Sequence, residues 1–382
     1  MANQLHFDTL VLGTGGIGSA CLYHLAQQGQ RVAGIDRFSV AHDQGSSHGH
    51  TRLIRQSYFE HPSYVPIVQR AFELWEKLQE EHGRQLYYET GILEAGPADG
   101  ELIPGVLTSS EIHQLPIERM DIQTAQQRWP QFQFHGDHEV IFEQRGGFLL
   151  VEHAIAAHIE KAQWAGAELF IGHAIREIET GQDVLVVHTD RARFTADAIV
   201  MTVGAWAADL LPELRGHLQI LRKPLHWFAA DADLYSHRAG CPSFMMERAD
   251  GFYYGFPSTD ERGLKVARHT GGQEIQDPLV VDREVDETER NEVQGFLQDH
   301  LPRVSSQATA HAVCMYTVTA DSHFVIDRAA ADDRIVYAAG LSGHGFKFAS
   351  ALGEILADRA LGKDDRFDLS PFQAARLGSS DV

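Results

Sequence analysis

The sequence predicts an α/β chain in two parts, a discontinuous doubly wound parallel sheet and an antiparallel sheet with helices. Three observations predict it. First, the apolar run Phe7-Asp8-Thr9-Leu10-Val11-Leu12 ends in Gly13-Thr14-Gly15-Gly16-Ile17-Gly18, a Gly-x-Gly-x-x-Gly turn that opens a helix. Second, the apolar strands at 198–203 and 334–339 end in Gly204-Ala205-Trp206 and in Gly340-Leu341-Ser342-Gly343-His344-Gly345, each before a helix. Third, the stretch from 218 to 320 reads mostly as strands. Strand–helix pieces at the start, middle and end, with strand-rich inserts between them, imply one sheet assembled from separated segments.

Each element follows from spacing. The first turn has the form of a Rossmann-like dinucleotide site: Gly13 permits the tight turn, Gly15 lets a pyrophosphate reach the backbone, and Gly18 lets helix pack closely on strand. The helix at 17–28 directs unpaired N–H groups and partial positive charge at such a ligand. The strand at 32–35 stops at Asp36, 18 residues beyond Gly18, where a carboxylate can accept from a ribose. Taken alone, the pattern fits NAD and FAD equally. A polar loop at 41–49 leads to Thr51-Arg52-Leu53-Ile54-Arg55. Over 64–78, Val65, Val68, Ala71, Phe72, Trp75 and Leu78 recur at helical spacing, and strands are expected at 86–88 and 91–95. Residues 98–130 are mixed and polar, with Pro104, Pro116 and Pro130 as breakers. A helix at 152–165, a strand at 167–172, a hairpin from 184–188 and 194–196, and the strand at 198–203 follow. The strand-rich part holds strands at 218–225, 244–247, 252–256 and 264–269, with one helix near 287–300. A helix at 346–361 closes the fold, and 378–382 are expected to fray.

Composition narrows the function. With 382 residues, 43% of them hydrophobic, the chain can bury a large core in two or three domains. Lys+Arg of 32 against Asp+Glu of 53 gives a net charge of −21, which argues against nucleic acid or an anionic membrane surface as partner. An anionic substrate must then be drawn in by a local cluster of cations. No apolar run approaches the roughly 18 residues needed to span a bilayer. Met1-Ala2-Asn3-Gln4 lacks the basic start of a signal peptide, so a cytoplasmic protein is expected. Cys21, Cys241 and Cys314 are odd in number and form no Cys-x-x-Cys, which indicates neither a disulfide framework nor a zinc site. His42, His48 and His50 sit beside Asp43 in a Gly/Ser-rich loop without a helical pair, and no metal is expected.

Beyond the glycine turn, Gly45-Ser46-Ser47-His48-Gly49-His50 followed by Thr51-Arg52-Leu53-Ile54-Arg55 resembles the amino half of the monomeric sarcosine oxidase and N-methyl-tryptophan oxidase family. The resemblance continues in Tyr253-Tyr254-Gly255-Phe256-Pro257, in Gly263-Leu264-Lys265 with His269, in Ala312-Val313-Cys314-Met315-Tyr316-Thr317, and in the run from Gly340 to Phe348. It covers nearly the whole chain. It implies an FAD-binding domain from 1–83, 150–217 and 322–382, and a substrate domain from 84–149 and 218–321. It also implies a monomeric flavoprotein oxidase that takes an N-methyl amino acid, O2 and water to the demethylated amino acid, formaldehyde and hydrogen peroxide.

The resemblance also assigns roles. The cysteine at Cys314 forms a thioether to the flavin 8-methyl group in this family; read alone, it is a buried core cysteine. Arg55 and Lys347 match the pair that holds the substrate carboxylate, one a planar fork and the other a point charge. Arg52 and Lys265 match basic residues on the two faces of the flavin ring, with Lys265 the candidate oxygen activator. From its strand alone, Lys265 is either a buried charge in need of a partner or an edge-strand lysine turned to water. His269 and Tyr254 match the polar lining of the amine site, Tyr316 a wall or gate, and Met245 a residue that narrows the pocket. The flavin site is expected to run from the glycine turn, including Gly16 and Ile17, and Asp36 through Arg37, Ser46, Thr51 and Arg52 to Gly204 and Trp206. Its other wall is expected from Cys314, Gly340, Gly343, Gly345, Phe346 and Lys347.

Two cues point to different substrates. Phe244-Met245 and Cys314-Met315-Tyr316-Thr317 look sarcosine-like, whereas Leu341 to Ser350 with Leu352-Gly353-Glu354-Ile355 looks closer to the N-methyl-tryptophan type. A bulky N-methyl amino acid or a cyclic imino acid is therefore the alternative substrate. An NAD-dependent dehydrogenase shares the glycine turn but needs no cysteine thioether. A hydrolase elbow would need Gly-x-Ser-x-Gly, and His344 stands where its last glycine belongs.

Overall fold

Leu5–Leu12 lies at the centre of an eight-stranded sheet, and its carboxyl half is buried on both faces, as an interior parallel strand demands. The computed structural model describes residues 5–378. The start from Met1 to Gln4, and all but Gly378 of the tail expected to fray, lie outside the described residues. Leu5–Leu12 pairs in parallel with Val32–Asp36 on one side and Arg193–Met201 on the other; Glu168–Ile171 and Asp332–Ala339 extend the parallel core. The helices Gly16–Gln27, Val65–His82, Val151–Trp164 and Ala349–Ala360 cover one face through a shared apolar core. The α/β class is the one expected.

Two expectations are corrected. The hairpin strand at 194–196 and the apolar strand at 198–203 are one strand, Arg193–Met201. Its first half pairs antiparallel with Leu185–Thr189, while its second half pairs in parallel with Asp332–Ala339. The change of partner, from an antiparallel ribbon to a parallel strand, happens within a continuous backbone. That ribbon includes Ile175–Thr180, a strand the sequence reading missed because its alternation is mostly solvent-facing. Within 98–130, Leu102–His113 is helical despite Pro104. Pro104 falls in the first turn, where its missing N–H has no intrahelical partner to lose. Pro116 and Pro130 do stand between elements.

A second, nine-stranded sheet runs mostly antiparallel through Gln219–Phe228, Leu264–Arg268, Gly251–Phe256 and Ser243–Arg248, with Ala308–Val318 paired on Gln219–Phe228. Ile92–Pro97 joins it in parallel beside Ser243–Arg248. The predicted helix at 287–300 is present as Glu287–His300. Thr51–Ile54 belongs to a small three-stranded sheet with Gly147–Leu150 and Tyr87–Tyr88. Among the described residues, no helix is long and apolar enough to cross a membrane.

Candidate active site

Three strand ends meet at one place. Gly13 adopts φ +83°, and a Cβ there would lie 2.7 Å from the Thr202 carbonyl oxygen. At Gly18 a Cβ would stand 1.8 Å from the Gly13 oxygen and 2.5 Å from Thr202 Oγ1, so this glycine packs the helix onto its own turn and onto a neighbouring strand end. Beside Gly15 the nearest atom is Ser47 Oγ at 3.7 Å, which leaves room for a ligand. The helix starting at Gly16 has no side-chain cap and no acid in its first turn. Its N-terminus therefore presents donors and partial positive charge to a cavity of about 720 Å³ lined by Gly13, Gly15, Gly16 and Ile17. Asp36, Arg37, Ser46, Gly204 and Trp206 line the same cavity, as do Gly340, Gly343, Gly345 and Phe346. Asp36 is already engaged by Thr14, whose N and Oγ1 donate at 2.6 and 3.0 Å, and by the Phe38 amide.

Gly18, Thr51, Cys314 and Lys265 are not in the cavity wall but directly support it. Cys314 lies on Ala308–Val318, opposite Lys223. Arg52 donates from Nη2 to its sulfur at 3.1 Å, and the Ser46 carbonyl lies 3.2 Å from the same sulfur. Burial alone would push this thiol up, but Arg52 and then His48 outweigh it and hold it near 6. The shift favours the thiolate, the form that reacts. By contrast, burial pushes Cys241 up to about 12 and Cys21 higher still.

The cations converge at the other end of the cavity. Arg55, Lys347, Met245, Tyr254, His269 and Tyr316 all line it, together with Arg52. Arg55 is buried and donates through Nη2 to both oxygens of Glu60, at 3.1 and 2.9 Å. Burial would raise the Glu60 carboxyl; Arg55 overrides it and holds the group down at about 2. Lys347 Nζ donates to the His344 carbonyl at 3.0 Å and lies 3.5 Å from the Tyr58 hydroxyl, which bonds in turn to His344 Nδ1. Burial, and then Arg55, bring the Lys347 ammonium down to about 7. Tyr316 O–H lies 3.4 Å from both Tyr254 O–H and His269 Nδ1. Burial and then Lys223 push His269 down to about 3, so its imidazole is neutral.

Lys265 does not point to water. Leu264–Arg268 is an interior strand, and Nζ donates to the Gly49 and Thr51 carbonyls at 2.6 and 2.9 Å and to Thr51 Oγ1 at 3.3 Å. Burial and the nearby Arg52 push its ammonium well below the ordinary lysine range. The three loop histidines take separate partners. His42 faces Asp36 at 3.8 Å, His48 lies at Cys314, and His50 bonds Thr259 and faces Asp260.

Sequence reasoning missed Glu60, Tyr58, Glu94 and Lys223. None sits in a periodic or glycine-marked motif; Glu60 follows Arg55 by five residues in an irregular loop, where spacing predicts no contact. Lys223 was legible only as a lysine within a strand, yet its Nζ caps the His269, Thr270 and Gly271 carbonyls at 2.8, 3.0 and 2.9 Å beneath Tyr316.

Comparison with known proteins gives a consistent picture. The FAD dependent oxidoreductase family matches residues 8–359. The chain is 38% identical to monomeric sarcosine oxidase of Bacillus sp. (strain NS-129), over 97% of each protein. It is 37% identical to N-methyl-L-tryptophan oxidase of Escherichia coli (strain SMS-3-5 / SECEC), over 98% of this chain and 100% of that one. Its fold matches NikD, an unusual amino acid oxidase essential for nikkomycin biosynthesis, with TM-score 0.84 and 22% identity over 97% and 98% of the two chains. It also matches L-proline dehydrogenase from P. horikoshii, with TM-score 0.83 and 21% identity over 98% of each chain.

Proposed function

This chain belongs to the FAD-dependent oxidoreductase family, with the monomeric sarcosine and N-methyl-tryptophan oxidases among its relatives, and from that premise we propose that it oxidatively demethylates an N-methyl amino acid. The overall reaction takes the amino acid, O2 and water to the demethylated amino acid, formaldehyde and hydrogen peroxide. One observation carries the reading: in a chain of net charge −21, two buried cations, Arg55 and Lys347, face the same cavity as the glycine turn. FAD, when bound, supplies the two-electron acceptor that oxygen regenerates.

The chain's own residues do the rest. The amides at the start of the Gly16 helix, with Gly16 N–H on the Ser47 hydroxyl, suit a pyrophosphate, and the open space beside Gly15 admits it. The Cys314 thiolate, set by Arg52 and His48, suits attachment to the flavin 8-methyl group. Arg55 and Lys347 bind the substrate carboxylate, which takes the place of Glu60 on the guanidinium. Neutral His269, tied to Tyr316 and beside Tyr254, orients the amine, and Met245 narrows the space for its side chain. Lys265 stands beside Arg52 on the Gly49 and Thr51 carbonyls, and in its protonated form it supplies positive charge where oxygen reduction develops negative charge. The domain division is 1–83, 150–217 and 322–382 for FAD, and 84–149 and 218–321 for substrate. Three unpaired cysteines fit a reducing, cytoplasmic setting, and the name of the sarcosine-type relatives favours a monomer.

The test is a panel of N-methyl amino acids read by peroxide production. Turnover of sarcosine above the bulky substrates supports the sarcosine-like cue from Met245. Preference for N-methyl-tryptophan or a cyclic imino acid supports the alternative. Absence of peroxide with every member overturns the reading.

A further inference from the structure

Glu94 is the one acid in a row of pocket-side residues. Ile92–Pro97 places Glu94 opposite Met245 on one neighbouring strand and Ile141 on the other; Met245 is opposite Tyr254, and Tyr254 opposite Ala267. Residues in register across a sheet share a face, so Glu94 stands in line with Met245 and Tyr254, which line the cavity. It is fully buried, and neither carboxyl oxygen has a hydrogen-bond partner. Arg55 Nε is also buried and unpartnered, and it lies 3.5 Å from Glu94 Oε1. Buried polar groups are normally paired, so facing orphans of opposite type mark a contact made in another state of the site.

The geometry of Arg55 says which state. Its Nη1 donates to the Ser57 carbonyl at 3.3 Å, and its Nη2 carries Glu60. A carboxylate gripped by Nη1 and Nη2 leaves only Nε to a second acceptor, and Glu94 is the group at Nε. We propose that Glu94 is a positioning residue for Arg55: it accepts from Nε–H and turns the Nη1–Nη2 edge toward the substrate carboxylate. The inference rests on the reading of Arg55 as the carboxylate partner.

The charged groups that face Glu94 are Arg55, Glu143, Glu60 and Lys347. Glu143 is occupied by the Gln56 and Ser57 amides. The neighbouring strands contribute apolar Ile141 and Met245, and the helix Leu102–His113 contributes Leu102, Ile103 and Val106 to the same core. Burial, opposed by Arg55, brings the Glu94 carboxyl up to about 8. Below that pH Glu94 is a neutral acceptor. Above it, Glu94 becomes a second anion on the guanidinium and competes with any bound carboxylate.

The test titrates acetate into the flavin-loaded protein and follows the flavin absorbance at pH 6 and pH 9. Lys347, at about 7, loses charge over this range in wild type and variant alike, so the comparison between the two is the readout. Glu94→Gln should match wild type at pH 6 and bind acetate about tenfold more tightly at pH 9, because it accepts from Nε–H and cannot ionise. Glu94→Val should weaken acetate by about tenfold at pH 6 through loss of the acceptor. A Gln variant that tracks wild type at both pH values overturns the proposal, as does a folded Val variant with wild-type affinity at pH 6. If the Val variant fails to fold, the Gln comparison decides. Arg55→Ala separates the two readings. Lost acetate binding there, with Glu94 variants like wild type, removes the Glu94 inference alone; unchanged binding there removes the carboxylate reading beneath it as well.

Discussion

Arg55 and Glu60 form a buried pair whose halves serve different ends, and substitution can pull those ends apart. Glu60 is held at about 2 against an ordinary 4.5, a difference worth roughly 3 kcal/mol. Because the folded value is depressed, this stability is fully present above pH 4.5 and is lost as pH falls toward 2. Arg55→Ala leaves the largely buried Glu60 carboxylate without its ion-pair partner, with Lys347 and His344 offsetting part of a loss that is typically about 3–5 kcal/mol for a fully buried pair. The variant should therefore melt several degrees below wild type at pH 7, with the gap closing as pH falls from 4.5 toward 2. Adding Glu60→Gln removes the stranded charge and should restore most of the midpoint. Binding should behave oppositely. Arg55→Ala should weaken acetate by roughly 2–5 kcal/mol with or without the second substitution. Glu60→Gln alone frees Nη2 and should tighten acetate about tenfold, or about 1.4 kcal/mol. Flavin fluorescence on heating reads the first effect, and flavin absorbance on acetate titration reads the second. Equal melting of the single and double variants would show that the stranded Glu60 charge costs no stability. Weaker acetate binding by Glu60→Gln would make Glu60 part of the ligand site rather than its competitor.

Intact mass should exceed that of the polypeptide by one FAD in wild type and match the bare chain in Cys314→Ala, with attachment in refolded apoprotein quickening through about pH 6 as the thiolate forms; a wild-type apo mass with extractable flavin, under adequate flavin supply, counts against the thioether. Lys265→Met should slow reoxidation by oxygen by two to three orders of magnitude, about 3–4 kcal/mol, while anaerobic reduction by substrate changes far less; equal slowing of both half-reactions sinks the assignment. Gly18→Ala would force a Cβ to 1.8 Å from the Gly13 oxygen and should abolish flavin loading, measured as the ratio of flavin to protein absorbance; a variant that loads normally would mean the turn can shift.

The sequence made legible what local chemistry dictates. The glycine turn was readable because Gly13 needs positive φ and Gly18 tolerates no Cβ, constraints that act within a few residues. The helix Glu287–His300 was readable from spacing and is fixed at its start by a capping box between Asp286 and Glu289. Arg193–Met201 was read as two strands because its neighbours change halfway, and a change of neighbour is a fact of tertiary structure. Glu94 escaped for the same reason, since Arg55 reaches it from another segment; Glu60 escaped because it meets Arg55 across an irregular loop whose path no spacing rule gives.

What the fold adds to the list of cations is the way each is held. Arg52 faces the Cys314 sulfur and the Ser46 carbonyl, Lys265 faces carbonyls of Gly49 and Thr51, and Lys347 faces the His344 carbonyl. Carbonyl acceptors satisfy hydrogen bonds without cancelling charge, so burial rather than a paired carboxylate is what reduces the charge on Lys265 and Lys347. Only Arg55 carries a carboxylate, Glu60, on the Nη2 donor that an incoming ligand would also use. Conversion of the Cys314 thiolate to the proposed thioether would remove the anion beside Arg52 and leave that guanidinium facing the flavin. Cofactor attachment and substrate binding would then act alike, each exchanging an internal anion for a ligand at a cation already in place.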